Sequence, residues 1–172
     1  MNQLTVNLHL LMMSFYRPTK QRFKIICEAK AFPSDQYAFQ SQVLHHGLDP
    51  KECIIEVSPK PGTAIIDTED ILETIKKHGQ ETAVVLFRGV NYYSGQVFDM
   101  PRICKAAHEQ GAYCGFDLAH AAGNISLKLH DWNVDFACGC SYKYLNSGPG
   151  GVSGVYIHQK HASNKTMPRL AG

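Results

Sequence analysis

Short apolar runs alternate along this chain with longer stretches in which apolar residues recur at helical spacing. The apolar runs predict strands at residues 23–26, 53–57, 82–87, 113–116, 136–140 and 152–157. The longer stretches predict helices from a Thr5 cap to about Phe15, from a Ser34 or Asp35 cap to Gly47, from Asp67 to His78, and over Pro101–Gln110. We found no internal repeat and no low-complexity segment.

This alternation of strands and helices predicts one α/β domain with a mainly parallel sheet flanked by helices. The run TAVVLF, residues 82–87, is almost wholly apolar, which is typical of a strand covered on both faces. Ligands of such sheets bind beyond the carboxyl ends of the strands. The residues that follow the predicted strands are therefore the first place to look for chemistry.

Composition narrows the possible partners and compartment. The net charge of +2 gives no strong field toward nucleic acid or an anionic membrane, so neither partner is expected. No apolar run is long enough to span a bilayer, and the apolar start of the chain is predicted to be a helix rather than a signal peptide. The six cysteines lie mostly in apolar runs, as reduced thiols do, which favours the cytoplasm. Cys138 and Cys140 form at most half of a zinc site, so no metal is expected.

Two segments contain candidate chemistry. In GFDLAHAAGN, Asp117 ends a strand and His120 follows three positions later. Taken alone, this pair is better explained by a capping carboxylate and a surface histidine than by a functional site. In CSYKYLNSGPGG, Lys143 lies between two tyrosines, ahead of a glycine-rich turn. Taken alone, Lys143 is better explained as a lysine whose aliphatic stem covers apolar surface than as a functional amine.

Together the two segments indicate a cofactor. Pyridoxal phosphate needs a lysine for its aldehyde and a carboxylate for its pyridine nitrogen, and Lys143 and Asp117 supply both. Apolar surroundings lower the pKa of a lysine and make its amine nucleophilic. Gly148, Gly150 and Gly151 are predicted to let the backbone approach a bulky ligand closely.

The chain resembles the central portion of the kynureninases, fold-type I pyridoxal-phosphate enzymes related to the class-V aminotransferases. The resemblance rests on LTVNLHLLMMSFY, EAKAFPSDQYA, GFDLAHAAGN, HDWNVDFACGCSYKYLNSGPGG and IHQKHA, in the family's order and over nearly the full length. It implies that Lys143 is the Schiff-base lysine, that Asp117 pairs with the pyridine nitrogen, and that Phe32 stacks on the ring. The cofactor-binding residues that it implies are Leu4, Thr5, Phe32, Pro33, Ser34, Asp35, Asp117, His120, Tyr142 and Lys143.

Two further positions are left open. Tyr93 resembles a tyrosine near the phosphate of the cofactor. Arg88 stands where the resemblance implies a small residue that touches the cofactor, so the guanidinium would either bind an anion or crowd the site. The resemblance assigns neither residue a role.

The resemblance also implies an activity and an assembly. The reaction would be hydrolysis of L-kynurenine or 3-hydroxykynurenine to anthranilate or 3-hydroxyanthranilate and L-alanine, in tryptophan catabolism and NAD synthesis. Residues 1–172 would form part of the large cofactor-binding domain of a homodimer, without the family's N-terminal segment and C-terminal small domain. Two alternatives remain at this point: another class-V enzyme such as a cysteine desulfurase, and a catalytically inert cofactor-binding fragment.

Overall fold

The computed structural model describes residues 2–169, which form one twisted sheet with helices on both faces. The strands are β1 (Lys24–Glu28), β2 (Ile54–Val57), β3 (Thr82–Arg88), β4 (Tyr113–Asp117), β5 (Phe136–Cys140) and β6 (Ser153–Ile157). The helices are α1 (Leu4–Phe15), α2 (Pro33–His45), α3 (Pro50–Cys53), α4 (Thr68–His78) and α5 (Met100–Glu109), with short 3₁₀ turns at Gly79–Glu81 and Gln159–His161.

The sheet has the strand order β2-β1-β3-β4-β5-β6 and is parallel except at β6, which runs antiparallel to β5. Every residue of the inner strand β3 is buried, as its continuous apolar run predicted. This architecture confirms the predicted α/β class with a mainly parallel sheet. In it, the last residues of β1, β3 and β4 and the segment that follows β5 meet at one edge.

Two apolar layers hold the sheet between its helices. Helices α1 and α2 cover one face, where Phe15 stacks on Phe136 with ring centroids 4.5 Å apart. Helices α4 and α5 cover the other face through Ile71, Ile75 and Ile103, all fully buried. Both layers have a continuous core, so the edge that carries the candidate site rests on a rigid support.

Two predicted helix starts differ from the structure. Gln3, rather than Thr5, is the N-cap of α1, so Thr5 lies within the first turn. Ser34 and Asp35 are also first-turn residues, because Phe32 is the N-cap of α2 and Pro33 occupies its first helical position. Proline fits that position since the first helical N–H has no acceptor within the helix. The predicted start at Asp67 is confirmed.

The strand predicted from Cys53 begins one residue later, because Pro50–Cys53 forms a short helix that no apolar period announced. Asp49 caps this turn by accepting a hydrogen bond from the N–H of Lys51. Within residues 2–169, none of the helices combines the length and the apolar character that crossing a bilayer requires.

A buried carboxylate ties together the amino end of the sheet, opposite the candidate site. Asp135 accepts hydrogen bonds from His108 Nε2 at 2.7 Å, His161 Nε2 at 2.8 Å and the N–H of Cys114 at 2.7 Å, and Lys160 Nζ lies 2.7 Å away. Burial alone would raise the pKa of Asp135, but these donors hold it well below its usual value. In return the hydrogen bond to Asp135 raises the pKa of His108 to about 9.

This pair predicts a pH-dependent loss of stability. The pKa of His108 is higher in the folded chain than the usual 6.5, so its contribution is complete below pH 6.5 and is lost as the pH rises through about 9. We expect the free energy of unfolding, measured with urea at pH 6 and pH 9.5, to fall by roughly 1–3 kcal/mol through this residue. In His108→Gln that part of the fall should vanish. An equal fall in the free energy of unfolding of the wild-type protein and of His108→Gln would mean that other groups cause it.

Candidate active site

A cavity of about 230 Å³ opens at the carboxyl edge of the sheet, between the start of α1, the start of α2 and the segment after β5. It is lined by Gln3, Leu4, Thr5, Phe32, Ser34, Arg88, Asp117, Ala119, His120, Tyr142 and Lys143. Eight of the ten residues that the resemblance implied for cofactor binding lie on this wall. The folding of the chain therefore brings together residues that are up to 139 positions apart in the sequence (Leu4 and Lys143).

Asp117 forms the floor of the cavity. It is the last residue of β4, only 3% exposed, and its Oδ1 accepts a hydrogen bond of 2.7 Å from the N–H of Ala119. Burial and the neighbouring carboxyl of Asp35 raise the pKa of Asp117 well above its usual value, although Arg88 and the Ala119 N–H oppose this. The site therefore holds a buried carboxyl that lacks a sufficient cationic partner.

Beneath Asp117, buried carboxyl groups again outnumber buried cations. Arg88, the last residue of β3, lies 2.9 Å from Asp35 Oδ2 through Nη2, while its Nε lies 3.6 Å from Glu28 and 3.9 Å from Asp117. All four side chains are at least 97% buried. One guanidinium thus serves three carboxyls, and burial raises the pKa of Glu28 to about 7.

Two aromatic rings pack against the guanidinium. The Cζ atom of Arg88 lies 5.5 Å from the ring centroid of Phe32 and 4.9 Å from that of Tyr92, within the range of cation–π attraction. The Phe32 ring is 42% exposed and meets Tyr92 edge to face. Phe32 therefore offers a flat apolar surface to the cavity, and its ring also contacts Arg88.

Lys143 approaches the same ring from the segment after β5. Its Nζ lies 5.8 Å from the Phe32 centroid and 5.6 Å from that of Tyr142. The segment is folded into a turn, in which Ser147 donates its N–H to the carbonyl of Ser141 at 3.0 Å and the two hydroxyls lie 2.7 Å apart. This turn holds the amine over the cavity.

His120 adds a neutral ring to the wall. Burial lowers its pKa, and the nearby charges of Lys143 and Arg88 lower it further, so the imidazole is uncharged at neutral pH. Its carbonyl accepts a hydrogen bond from Asn124 Nδ2, and its ring meets Tyr144 edge to face. His120 is thus able to contact a ligand without adding a charge.

The start of α1 provides the opposite wall. Gln3, its N-cap, makes no side-chain capping bond, and the first N–H with an acceptor inside the helix is that of Asn7, which donates to Gln3. The N–H groups of Leu4 and Thr5 therefore have no acceptor within the helix, and the dipole places positive potential there. Such a helix start suits a phosphate.

Some predicted residues lie elsewhere. Pro33 and Asp35 are not on the cavity wall, and Asp35 instead lies beneath it, against Arg88. Tyr93 is 87% exposed and lines a neighbouring groove of about 630 Å³. Tyr142 and Tyr144, which flank Lys143, are partly exposed.

The glycines after Lys143 have a different role from the predicted one, since none of them lines the cavity. Gly148 and Gly150 have φ angles of +81° and +82°, which side-chain-bearing residues rarely adopt. At Gly151 a Cβ would collide with the Ser147 hydroxyl. These glycines shape the turn that carries Lys143. Gln3 and Ala119 also line the cavity, although the sequence analysis did not predict them. The only signal in the sequence is that they lie close to Leu4 and Asp117.

The donor set of this cavity fits pyridoxal phosphate. Its floor has an excess of buried carboxyl over cation, and two buried carboxyl oxygens, Glu28 Oε1 and Asp35 Oδ1, lack a hydrogen-bond donor in residues 2–169. A protonated ring nitrogen beside Asp117 would supply the missing positive charge. The amine of Lys143, the flat Phe32 ring and the free N–H groups of α1 match the aldehyde, ring and phosphate. Over the same residues, no cluster of three histidine, cysteine or acidic side chains is arranged to hold a metal ion.

Sequence comparison assigns the class. The family described as Aminotransferase class-V matches residues 15–172, and the chain belongs to that family of pyridoxal-phosphate-dependent enzymes. Within it, the chain is similar to kynureninases along its whole length: 66% identical to that of Flavobacterium psychrophilum, 61% to that of Nematostella vectensis and 55% to that of Mus musculus. All 172 residues are matched, but they span only 40%, 37% and 37% of these relatives.

Solved structures agree on the fold. A cysteine desulfurase from Thermococcus onnurineus NA1 matches 93% of this chain and 38% of its own, with a TM-score of 0.76 and 21% identity. An alanine–glyoxylate aminotransferase from Nostoc sp. matches 94% of this chain and 39% of its own, with a TM-score of 0.71 and 17% identity. At these identities the likeness describes the fold, and the choice among class-V activities rests on the sequence relatives.

Proposed function

We propose that this chain is the cofactor-binding part of a kynureninase, which hydrolyses L-kynurenine or 3-hydroxykynurenine to anthranilate or 3-hydroxyanthranilate and L-alanine. The observation that carries the proposal is the cavity in which Lys143 and Asp117 face the same space, in a chain 66% identical to a kynureninase. The fold alone would serve other class-V enzymes equally well. The high identity over all 172 residues favours kynureninase over a cysteine desulfurase.

Each wall of the cavity has a distinct task in this proposal. Pyridoxal phosphate, when bound, supplies an aldehyde that bonds to amines and a ring that withdraws electrons from the substrate. The N–H groups of Leu4 and Thr5 bind the phosphate, and Phe32 orients the ring. Ser34, His120 and Tyr142 complete the wall around it.

Two side chains handle charge and protons. Asp117 keeps a proton on the ring nitrogen, because a carboxylate buried beside it stabilises the protonated form. Lys143 would hold the cofactor through Nζ, and its amine would move a proton at the α-carbon of the substrate. As the Cβ–Cγ bond breaks, the hydroxyl of a water molecule would end in the carboxyl group of the anthranilate and a hydrogen in the methyl group of L-alanine.

The proposal extends to the assembly and the compartment. We infer that residues 1–172 belong to a large domain, completed in the whole protein by an N-terminal segment and a small domain, and that the protein is a homodimer. Exposed apolar side chains around the site, such as Tyr93, Leu145 and Val152, favour burial against further protein. The six cysteines are all buried and unpaired, which favours the reducing cytoplasm.

Covalent labelling tests the role of Lys143. Borohydride reduction of the protein with pyridoxal phosphate should place the phosphopyridoxyl group on Lys143, because its amine is the one that faces the cavity. Peptide mapping by mass spectrometry identifies the labelled residue. Lys143→Ala should remove the label, whereas Lys105→Ala, an exposed lysine on α5, should not. A label that persists in Lys143→Ala at another lysine contradicts the assignment.

The substrate is tested separately from the cofactor. We expect anthranilate fluorescence from kynurenine, and no sulfide or persulfide from cysteine, when residues 1–172 replace the matching segment of the Flavobacterium psychrophilum relative. Because all residues of the proposed cavity come from this chain, the chimaera reports whether that cavity supports the reaction when the relative supplies the remaining segments. Sulfide without anthranilate would identify a desulfurase.

A further inference from the structure

We propose that Arg88 is a positioning residue of the cofactor site: it holds Asp35 in a buried ion pair and thereby leaves Asp117 as the carboxylate that pairs with the ring nitrogen of the cofactor. The inference rests on the proposed function, since it assumes that pyridoxal phosphate occupies the cavity. It assigns a task to a residue that the resemblance to the kynureninases left without one.

The geometry shows which carboxylate Arg88 serves. Its Nε and Nη2 both donate to Oδ2 of Asp35, at 3.3 and 2.9 Å, whereas its nearest approach to Asp117 is 3.9 Å. The rings of Phe32 and Tyr92 hold the guanidinium in this orientation. The guanidinium of Arg88 therefore donates its hydrogen bonds to Asp35 and acts on Asp117 mainly through its charge.

Asp117 is sensitive to the charge of Asp35. After burial, the charge of the Asp35 carboxyl is the largest cause of the raised pKa of Asp117. Two carboxyls that share a buried site cannot easily both be ionised, so one takes up a proton unless a cation neutralises the pair. Arg88 is the cation in contact with both. Without it, the pKa of Asp117 would rise further, and Asp117 would lose more of its attraction for a protonated ring.

The other charged and titratable groups around Asp117 do not replace Arg88. They come from β1, β5 and the segments after β4 and β5, and are Glu28, Cys138, Cys140, His120, Tyr142 and Lys143. Of these, Lys143 is the other cation, but its amine faces the cavity, where it would hold the aldehyde of the cofactor rather than neutralise Asp117. Glu28 adds a further carboxyl, which increases the need for the guanidinium.

The test measures cofactor binding rather than turnover. We expect Arg88→Gln to bind pyridoxal phosphate at least about tenfold more weakly at pH 7, because each unit added to the pKa of Asp117 lowers its ionised fraction about tenfold. The ratio of the variant Kd to the wild-type Kd should fall as the pH is raised, since alkali ionises both carboxyls. Arg102→Gln, which removes an exposed arginine paired with Glu69, is the matched control and should keep the wild-type Kd.

A charge-balanced variant separates positioning from folding. Arg88→Gln combined with Asp35→Asn removes one positive and one negative charge together, and it should recover the wild-type Kd and pH profile. If Arg88→Gln does not fold, the double variant alone tests the proposal. Weak, pH-dependent binding of pyridoxal phosphate to the double variant overturns the proposal. An unchanged Kd in Arg88→Gln at every pH overturns it as well. Failure of the wild-type protein to bind the cofactor would instead refute the proposed function.

Discussion

Replacing Asp117 by Asn is expected to lower kcat for kynurenine by roughly 10²-fold or more, in the chimaera that carries residues 1–172. Loss of one preorganised group aimed at developing charge commonly costs this much. The amide has nearly the same shape and is able to accept the 2.7 Å hydrogen bond from Ala119, but it carries no charge to hold a proton on the ring nitrogen. Part of the cofactor affinity should remain, because the phosphate, the ring and Lys143 contribute independently.

Steady-state kinetics and cofactor titration on the same preparation check this result. Asp99→Asn is the matched control, since Asp99 is a helix cap on α5 remote from the cavity and an asparagine is able to cap in its place. Near-normal kcat in Asp117→Asn would mean that another group, with Asp35 and Glu28 the nearest candidates, protonates the ring.

Residues 1–172 expressed alone are expected to show a kcat/KM for kynurenine at least about 10²-fold below that of the chimaera. A displacement of about 1 Å at a reacting centre is enough for a loss of this size. The chain spans about two fifths of its curated relatives, and the cavity wall carries several partly exposed aromatic residues, among them Phe32 and Tyr142. We propose that the remaining segments and a second subunit cover these side chains and hold the substrate.

Labelling of Lys143 in the short chain separates binding from catalysis. If the short chain takes up the phosphopyridoxyl group but cleaves kynurenine poorly, the cavity suffices to bind the cofactor, and the reaction needs the further segments that we propose hold the substrate. Equal kcat/KM in the two proteins would show that residues 1–172 suffice for the whole reaction.

The apolar pattern was enough to predict the fold class and the carboxyl edge as the site. The run TAVVLF predicted a strand buried on both faces, and every residue of β3 is buried. The helix starts were predicted less accurately. Thr5, Ser34 and Asp35 were predicted to be N-caps, but they lie in the first turns of α1 and α2. The caps are Gln3 and Phe32, which lack the usual capping side chain, so composition alone did not mark them.

Sequence by itself determined the chemical parts of the candidate site, because Lys143, Asp117 and the segments around them combine an amine, a carboxylate and a resemblance to one family. Only the tertiary structure decided how these parts share charge. Arg88 and Asp35 are 53 positions apart, yet they form an ion pair beneath Asp117 since the ends of β3 and β4 and the start of α2 meet. Ionic interactions in a buried site depend on distances between side chains and on the exclusion of water, and the order of residues along the chain contains neither.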